Sequence, residues 1–141
     1  MFFISHRGNL DGPDESKENH PDYINNALNK NFDVEIDVWF ENNKFYLGHD
    51  KPEFLVDSKF LQNNHFWCHA KNYNALIELK KNNCHYFWHE EDKYTITSKG
   101  YFWAYPGETI SEEAICVLPE TKNIIPGSCA GICSDFITNY K

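Results

Sequence analysis

Between Asp33 and Phe40 acidic and apolar side chains alternate, Asp-Val-Glu-Ile-Asp-Val, before the run closes on Trp39-Phe40. A period of two is that of a β-strand, with Val34, Ile36 and Val38 on one face and Asp33, Glu35 and Asp37 on the other. Residues 2–5 predict a short apolar strand that ends in polar His6-Arg7-Gly8. Residues 9–19, rich in Gly, Pro, Asp and Glu, predict a loop. Asn19 or His20 ahead of Pro21 opens a helix to about residue 31, with Tyr23, Ile24, Ala27 and Leu28 as its apolar stripe. Asn42-Asn43 marks a turn before a strand over 44–48 that runs into His49-Asp50.

Further strands are predicted at 66–70, 85–89, 94–97, 101–105, 114–118 and 131–136. A helix from Tyr73 to about Asn82 turns Ala75, Leu76 and Leu79 inward, and a weaker one falls at 57–63. The order strand, helix, strand, helix is that of an α/β protein with parallel strands. Past residue 85 the helical signals stop while strands continue. The later connections are therefore loops, or some of those strands pair antiparallel.

A chain of 141 residues predicts one domain, 1–141. Thirteen Lys plus Arg stand against twenty-one Asp plus Glu, a net charge of −8. That balance argues against nonspecific nucleic-acid binding, which draws on many basic contacts to phosphate. No apolar run approaches the ~20 residues of a membrane span. The N-terminus lacks the basic lead and long apolar core of a signal peptide, so the expected location is cytoplasmic. The five cysteines (68, 84, 116, 129 and 133) form no C-x-x-C pair and most sit in apolar runs, as buried reduced thiols do. His20, His65 and His85 read as structural or exposed.

The candidate chemistry lies where strands end. His6-Arg7 closes the first strand, Glu35 and Asp37 share a face of the next, His49 follows the third and Lys71 the fourth. In parallel α/β folds, ligands bind at the carboxyl ends of strands, so these side chains converge on one rim. Neighbouring carboxylates on one face repel unless a cation sits among them. Glu35 and Asp37 offer the hard oxygen ligands that suit Mg²⁺ or Ca²⁺. They are too close for the paired acids of a glycosidase. Neither a Gly-rich nucleotide loop nor a nucleophile elbow is present.

The order His6-Arg7-Gly8, Glu18-Asn19, Glu35-Ile36-Asp37-Val38, His49-Asp50 resembles the signature of the glycerophosphodiester phosphodiesterase family, within the phospholipase C-like phosphodiesterase superfamily. Phe66-Trp67-Cys68-His69-Ala70-Lys71 resembles a family strand ending in an acidic residue, any residue, then lysine. Gly131-Ile132-Cys133-Ser134-Asp135 resembles the last barrel strand, which makes Ser134 and Asp135 lesser candidates for the site. The resemblance implies an α/β fold, a TIM-like (β/α) barrel. Because such barrels run to ~250 residues, it implies a shortened one, with several outer helices reduced or missing and its first and last strands adjacent.

The resemblance also implies an activity, metal-dependent cleavage of a glycerophosphodiester or related phosphodiester, by water or by a neighbouring substrate hydroxyl that forms a cyclic phosphate. His6 and His49 would be the general acid and base, and Arg7 and Lys71 would bind the phosphate. Glu35, Asp37 and His69 would hold the metal. Glu18, Asp50 and His89 would stand behind them. His69 occupies the place of a family carboxylate, which moves the expected metal from Mg²⁺ or Ca²⁺ toward Mn²⁺ or Zn²⁺. The alternative is a catalytically degenerate module that binds phosphate esters.

Overall fold

The computed structural model describes residues 1–141. Its central strand is the one with the strict alternation, β2 (Asp33–Glu41). On one edge β2 runs parallel to β1 (Phe2–His6), with Ser5 opposite Val34 and His6 opposite Glu35. On the other it runs parallel to β5 (Phe66–Ala70), with Asp37 opposite His69. Its far end turns through Asn42-Asn43 into an antiparallel pair with β3 (Lys44–Leu47), which is itself paired to β4 (Phe54–Val56). Both asparagines take positive φ, 50° and 59°, a conformation that asparagine tolerates better than most residues.

The remaining strands are β6 (Tyr86–Phe87), β7 (Tyr94–Ile96), β8 (Phe102–Ala104), β9 (Ala114–Val117) and β10 (Gly131–Ser134). The strands β6, β5, β2, β1, β10, β9 and β8 run parallel in that spatial order, and β7 adds antiparallel to β8. As the sequence predicts, the first and last strands are neighbours, with Ile4 opposite Cys133. A Cβ at Gly131 would come within 2.7 Å of the Phe2 Cβ, so glycine lets the two strands meet.

The shortened TIM-like (β/α) barrel does not form. The fold is a curled mixed sheet of ten strands, a half-barrel, around which strands and helices do not alternate. It carries three short α-helices, α1 (Pro21–Asn29), α2 (Ser58–Leu61) and α3 (Tyr73–Lys81). After β6 the connections are too short or too broken for a crossover helix, which needs about a dozen residues. The longest, 118–130, contains Pro119 and Pro126 and left-handed backbone at Leu118 and Asn123. It manages only a 3₁₀ turn at Pro119–Lys122. The strand expected at 85–89 is cut to two residues, and the helix expected at 57–63 is the single turn α2, capped by the Asp57 side chain on the Phe60 N–H.

The pleat sorts the core into two sides. Val34, Ile36 and Val38 face outward and pack with Ile24 and Ala27 of α1 and Ala75 and Leu79 of α3. Inside the curl lie Ile4, Trp67, Phe87, Trp103, Ile115 and Cys133. The parity that sends Val34 and Ile36 to the helices sends Glu35 and Asp37 to this interior, where they are 2% and 0% exposed. At the opposite end of the curl, Asp33 accepts from His65 Nδ1 at 2.7 Å and Trp67 Nε1 at 3.0 Å. His85, buried against Trp67 and bonded to Thr97 Oγ1 at 2.9 Å, is pushed down to about 4 by burial and stays neutral. All five cysteines are buried and unpaired. No helix is long and apolar enough to cross a membrane.

Candidate functional site

The chain leaves β1 through a turn in which Arg7 and Gly8 both have positive φ, 55° and 95°. The Asn9 N–H closes it onto the His6 carbonyl at 2.9 Å. Only glycine fits the second position, where a Cβ would meet the Tyr23 ring at 2.7 Å. At Arg7 the left-handed backbone is a strained choice for a residue with a long side chain. It is held because the Arg7 N–H bonds the Glu35 carbonyl at 2.9 Å and its carbonyl accepts from the Asn19 N–H at 3.0 Å. The guanidinium then reaches inward, with Nε 3.0 Å from Asp37 Oδ2 and Nη1 3.2 Å from Glu18 Oε2.

His6 ends β1 inside the curl. Its Nδ1 lies 2.7 Å from Asp135 Oδ1 and its Nε2 3.8 Å from Glu35 Oε2. A carboxylate only accepts, so Nδ1 carries the hydrogen and Nε2 faces the interior. Burial works against a charged His6, but the Asp135 hydrogen bond and the Glu35 charge outweigh it and raise its pKa. Burial likewise opposes the Asp135 carboxylate, yet the His6 bond and charge hold it below its usual range.

Asp37 is the most heavily partnered group. Asn19 grips it twice, Nδ2 donating to Oδ2 at 2.9 Å and Oδ1 accepting from its backbone N–H at 2.9 Å. His49 Nδ1 lies 3.5 Å from Oδ2, and His69 Nδ1 and Lys71 Nζ lie 3.4 and 3.8 Å from Oδ1. Burial would raise its pKa, but the neighbouring His49 and His69 rings and the Arg7 charge hold it well below the usual carboxylate range.

His69 stacks on Phe87 with ring centroids 5.0 Å apart, and its Nε2 lies 2.7 Å from the His89 carbonyl oxygen. A carbonyl accepts, so Nε2 is the donor and Nδ1 turns toward Asp37 and Glu35 Oε1, 3.6 Å from the latter. Burial disfavours the imidazolium, but the Asp37 and Glu35 carboxylates beside Nδ1 override it and raise His69 to about 9. His49 is positioned by Gly48 (φ 152°), where a Cβ would fall 2.0 Å from the Lys51 carbonyl oxygen. The Gly48 carbonyl is itself fixed by Trp39 Nε1 at 2.6 Å.

Glu35, Asp37 and His69 each present one ligand atom, and these lie within 4.8 Å of one another. Glu35 Oε2 and Asp37 Oδ1 are buried without a hydrogen-bond donor. Orphaned buried acceptors are costly, and a cation between them removes that cost. An imidazole whose far nitrogen is fixed on a carbonyl is also the usual form of a metal-ligating histidine. The residues therefore fit a divalent cation.

The structure brings His6, Arg7, Glu18, Glu35, Asp37, His49, His69 and Lys71 to one end of the curl. Two of the expected supporting residues stand differently. The Asp50 side chain is largely exposed, 3.6 Å from His49 Nε2. The His89 ring is engaged with the Asp92 carbonyl at 2.6 Å, and it is the His89 backbone oxygen that supports the site. His6, Arg7 and His49 stand between two cavities. One, of about 390 Å³, has only polar and charged walls apart from Pro13, and the other, of about 420 Å³, extends past Lys71 to Trp103 and Tyr105. Sequence reasoning gave no site role to Asn9 or the Asn19 side chain, and ranked Asp135, with Ser134, only as a lesser candidate. For Asp135 a signal existed, since it follows the strand that pairs with β1 and falls level with His6. No family model, curated protein or solved structure matches the chain.

Proposed function

We propose that the chain is a metal-dependent phosphodiesterase acting on a glycerophosphodiester or a related small phosphodiester. The observation that carries this reading is the grouping of His6, Arg7 and His49 beside the buried pair Glu35 and Asp37, whose free oxygens accommodate a cation. A divalent cation held by Glu35, Asp37 and His69 would supply Lewis-acid stabilisation of charge on a phosphoryl oxygen. Arg7 and Lys71 bind the phosphoryl oxygens and offset their charge. His6, its Nδ1 hydrogen fixed on Asp135, has Nε2 free to take or give a proton. His49, at the mouth, is the complementary acid or base. The two cavities flanking these three residues give each arm of a diester its own space.

The test is ³¹P NMR of the purified protein with glycerophosphodiesters, in EDTA and with added Mn²⁺ or Mg²⁺. Turnover should require the cation and vanish in His6→Ala and His49→Ala. The phosphorus shift separates a cyclic product from a monoester. Tight binding of phosphate esters without turnover would replace the enzyme with a binding module.

A further inference from the structure

Asn9 is fully buried, and all of its side-chain hydrogen-bonding capacity is engaged. Nδ2 donates to Asp135 Oδ1 at 2.8 Å and to Glu18 Oε1 at 2.8 Å. Oδ1 accepts from the Asp14 N–H at 3.1 Å and the Tyr23 hydroxyl at 3.2 Å. The orientation of the amide follows from its partners, because carboxylates cannot donate and a backbone N–H cannot accept. Asp135 is the group that fixes His6, and Glu18 is the group that holds Arg7. One amide thus joins the partners of two residues to which the proposed function assigns the proton and the phosphate.

We infer that Asn9 is a positioning residue, whose side-chain amide sets His6 and Arg7 in a common frame through Asp135 and Glu18. The inference rests on the proposed function for its catalytic consequence, and on the hydrogen bonds alone for its structural one. Two carboxylates that converge on one point repel, and the two N–H donors of a single amide bridge them. Aspartate at position 9 would put a third carboxylate between them, and leucine would take from each the donor that links it to the other, leaving Asp135 with His6 alone and Glu18 with Arg7 alone. The backbone adds rigidity: the Asn9 N–H closes the turn onto His6, and the Asn9 carbonyl accepts from Ser5 Oγ at 2.8 Å. The amide therefore stands on the same turn as the residues that it aligns.

Three measurements test this. In the metal-free protein, ¹⁵N NMR of the His6 ring should report hydrogen on Nδ1, and Asn9→Leu should lose that tautomer preference. In turnover, Asn9→Leu should lower kcat/KM by roughly 100-fold, the scale set by a misplaced catalytic group. Asn9→Ser, which keeps one donor, should fall between leucine and the native residue, and it serves as the readout if the leucine variant does not fold. In the Asp135→Ala background the Asn9→Ser loss should shrink to a few-fold, since residues acting through one another are not additive. An unchanged His6 tautomer, or full additivity of the two substitutions, would overturn the positioning role. If the native chain cleaves no diester, the enzyme reading falls, and the tautomer measurement still decides the role of Asn9.

Discussion

Replacing His69 by glutamine should remove most of the pH dependence of stability of the metal-free protein between neutrality and pH 9. The imidazole rises from 6.5 in the unfolded chain to about 9 in the fold, because the Asp37 and Glu35 carboxylates beside it outweigh burial. A group whose pKa is raised by folding stabilises fully below its unfolded pKa, and that stabilisation is lost as the pH climbs through the folded one. A proton held at about 9 instead of 6.5 is worth about 3 kcal/mol. For a chain of this length that corresponds to roughly 10 °C in Tm. The assay is a series of thermal melts in EDTA from pH 6 to 9, on the native chain and on His69→Gln. Burial raises the thiols as well, so they depress stability near the top of the range, but they do so in both proteins and cancel in the difference. A saturating divalent cation that takes the place of the proton should flatten the native curve. If the native and variant curves run parallel, His69 does not hold a proton between these carboxylates.

Three further outcomes follow from the same geometry. Glu35→Gln should abolish Mn²⁺ binding in calorimetric titration while shifting the metal-free Tm by only a few degrees, because Glu35 Oε2 has no donor to lose; unchanged affinity would remove Glu35 from the metal site. His69→Glu should turn the cation ranking from Mn²⁺ or Zn²⁺ toward Mg²⁺ or Ca²⁺ in competition titrations, since a carboxylate replaces an imidazole; the same ranking in both forms would mean that His69 is no ligand. Gly48→Ala should cost at least about 2 kcal/mol, from a Cβ placed 2.0 Å from a carbonyl oxygen and from strained φ; metal affinity should survive, and diester turnover should fall with the displacement of His49.

The alternation in residues 33–38 was enough to read β2, and with it the inward direction of Glu35 and Asp37, because the apolar residues of opposite parity had two amphipathic helices to cover. Pro21 and Asn72 marked the starts of α1 and α3 for local reasons, a fixed φ and a side-chain cap on the Ala75 N–H. The half-barrel was less legible. Strand-end motifs carry the polar rim of a fold but say nothing of the helices outside it, and here the connections past β6 do not supply them. Residues 85–89 look like a full strand by composition. The chain leaves the sheet after Phe87 and turns so that His89 bonds Asp92. The Asn9 links escaped for another reason. Its bond to Asp135 spans 126 positions, and no local pattern records such a pairing.

The pairing of β1 with β10 has a consequence for the chain while it is being made. Synthesis runs at ~5–20 residues per second from the N-terminus. β2 can join one edge of β1 early, whereas β10 comes about 90 residues after β2. For that interval the Phe2–His6 edge is bare, an apolar template on which another nascent chain can add. Residues 131–135 end the exposure and in the same step bring Asp135 to His6, 129 positions away. Ribosome stalling anywhere before them leaves a product that is prone to aggregate and also lacks the partner of its first histidine. For the cell, such chains are a hazard to be cleared.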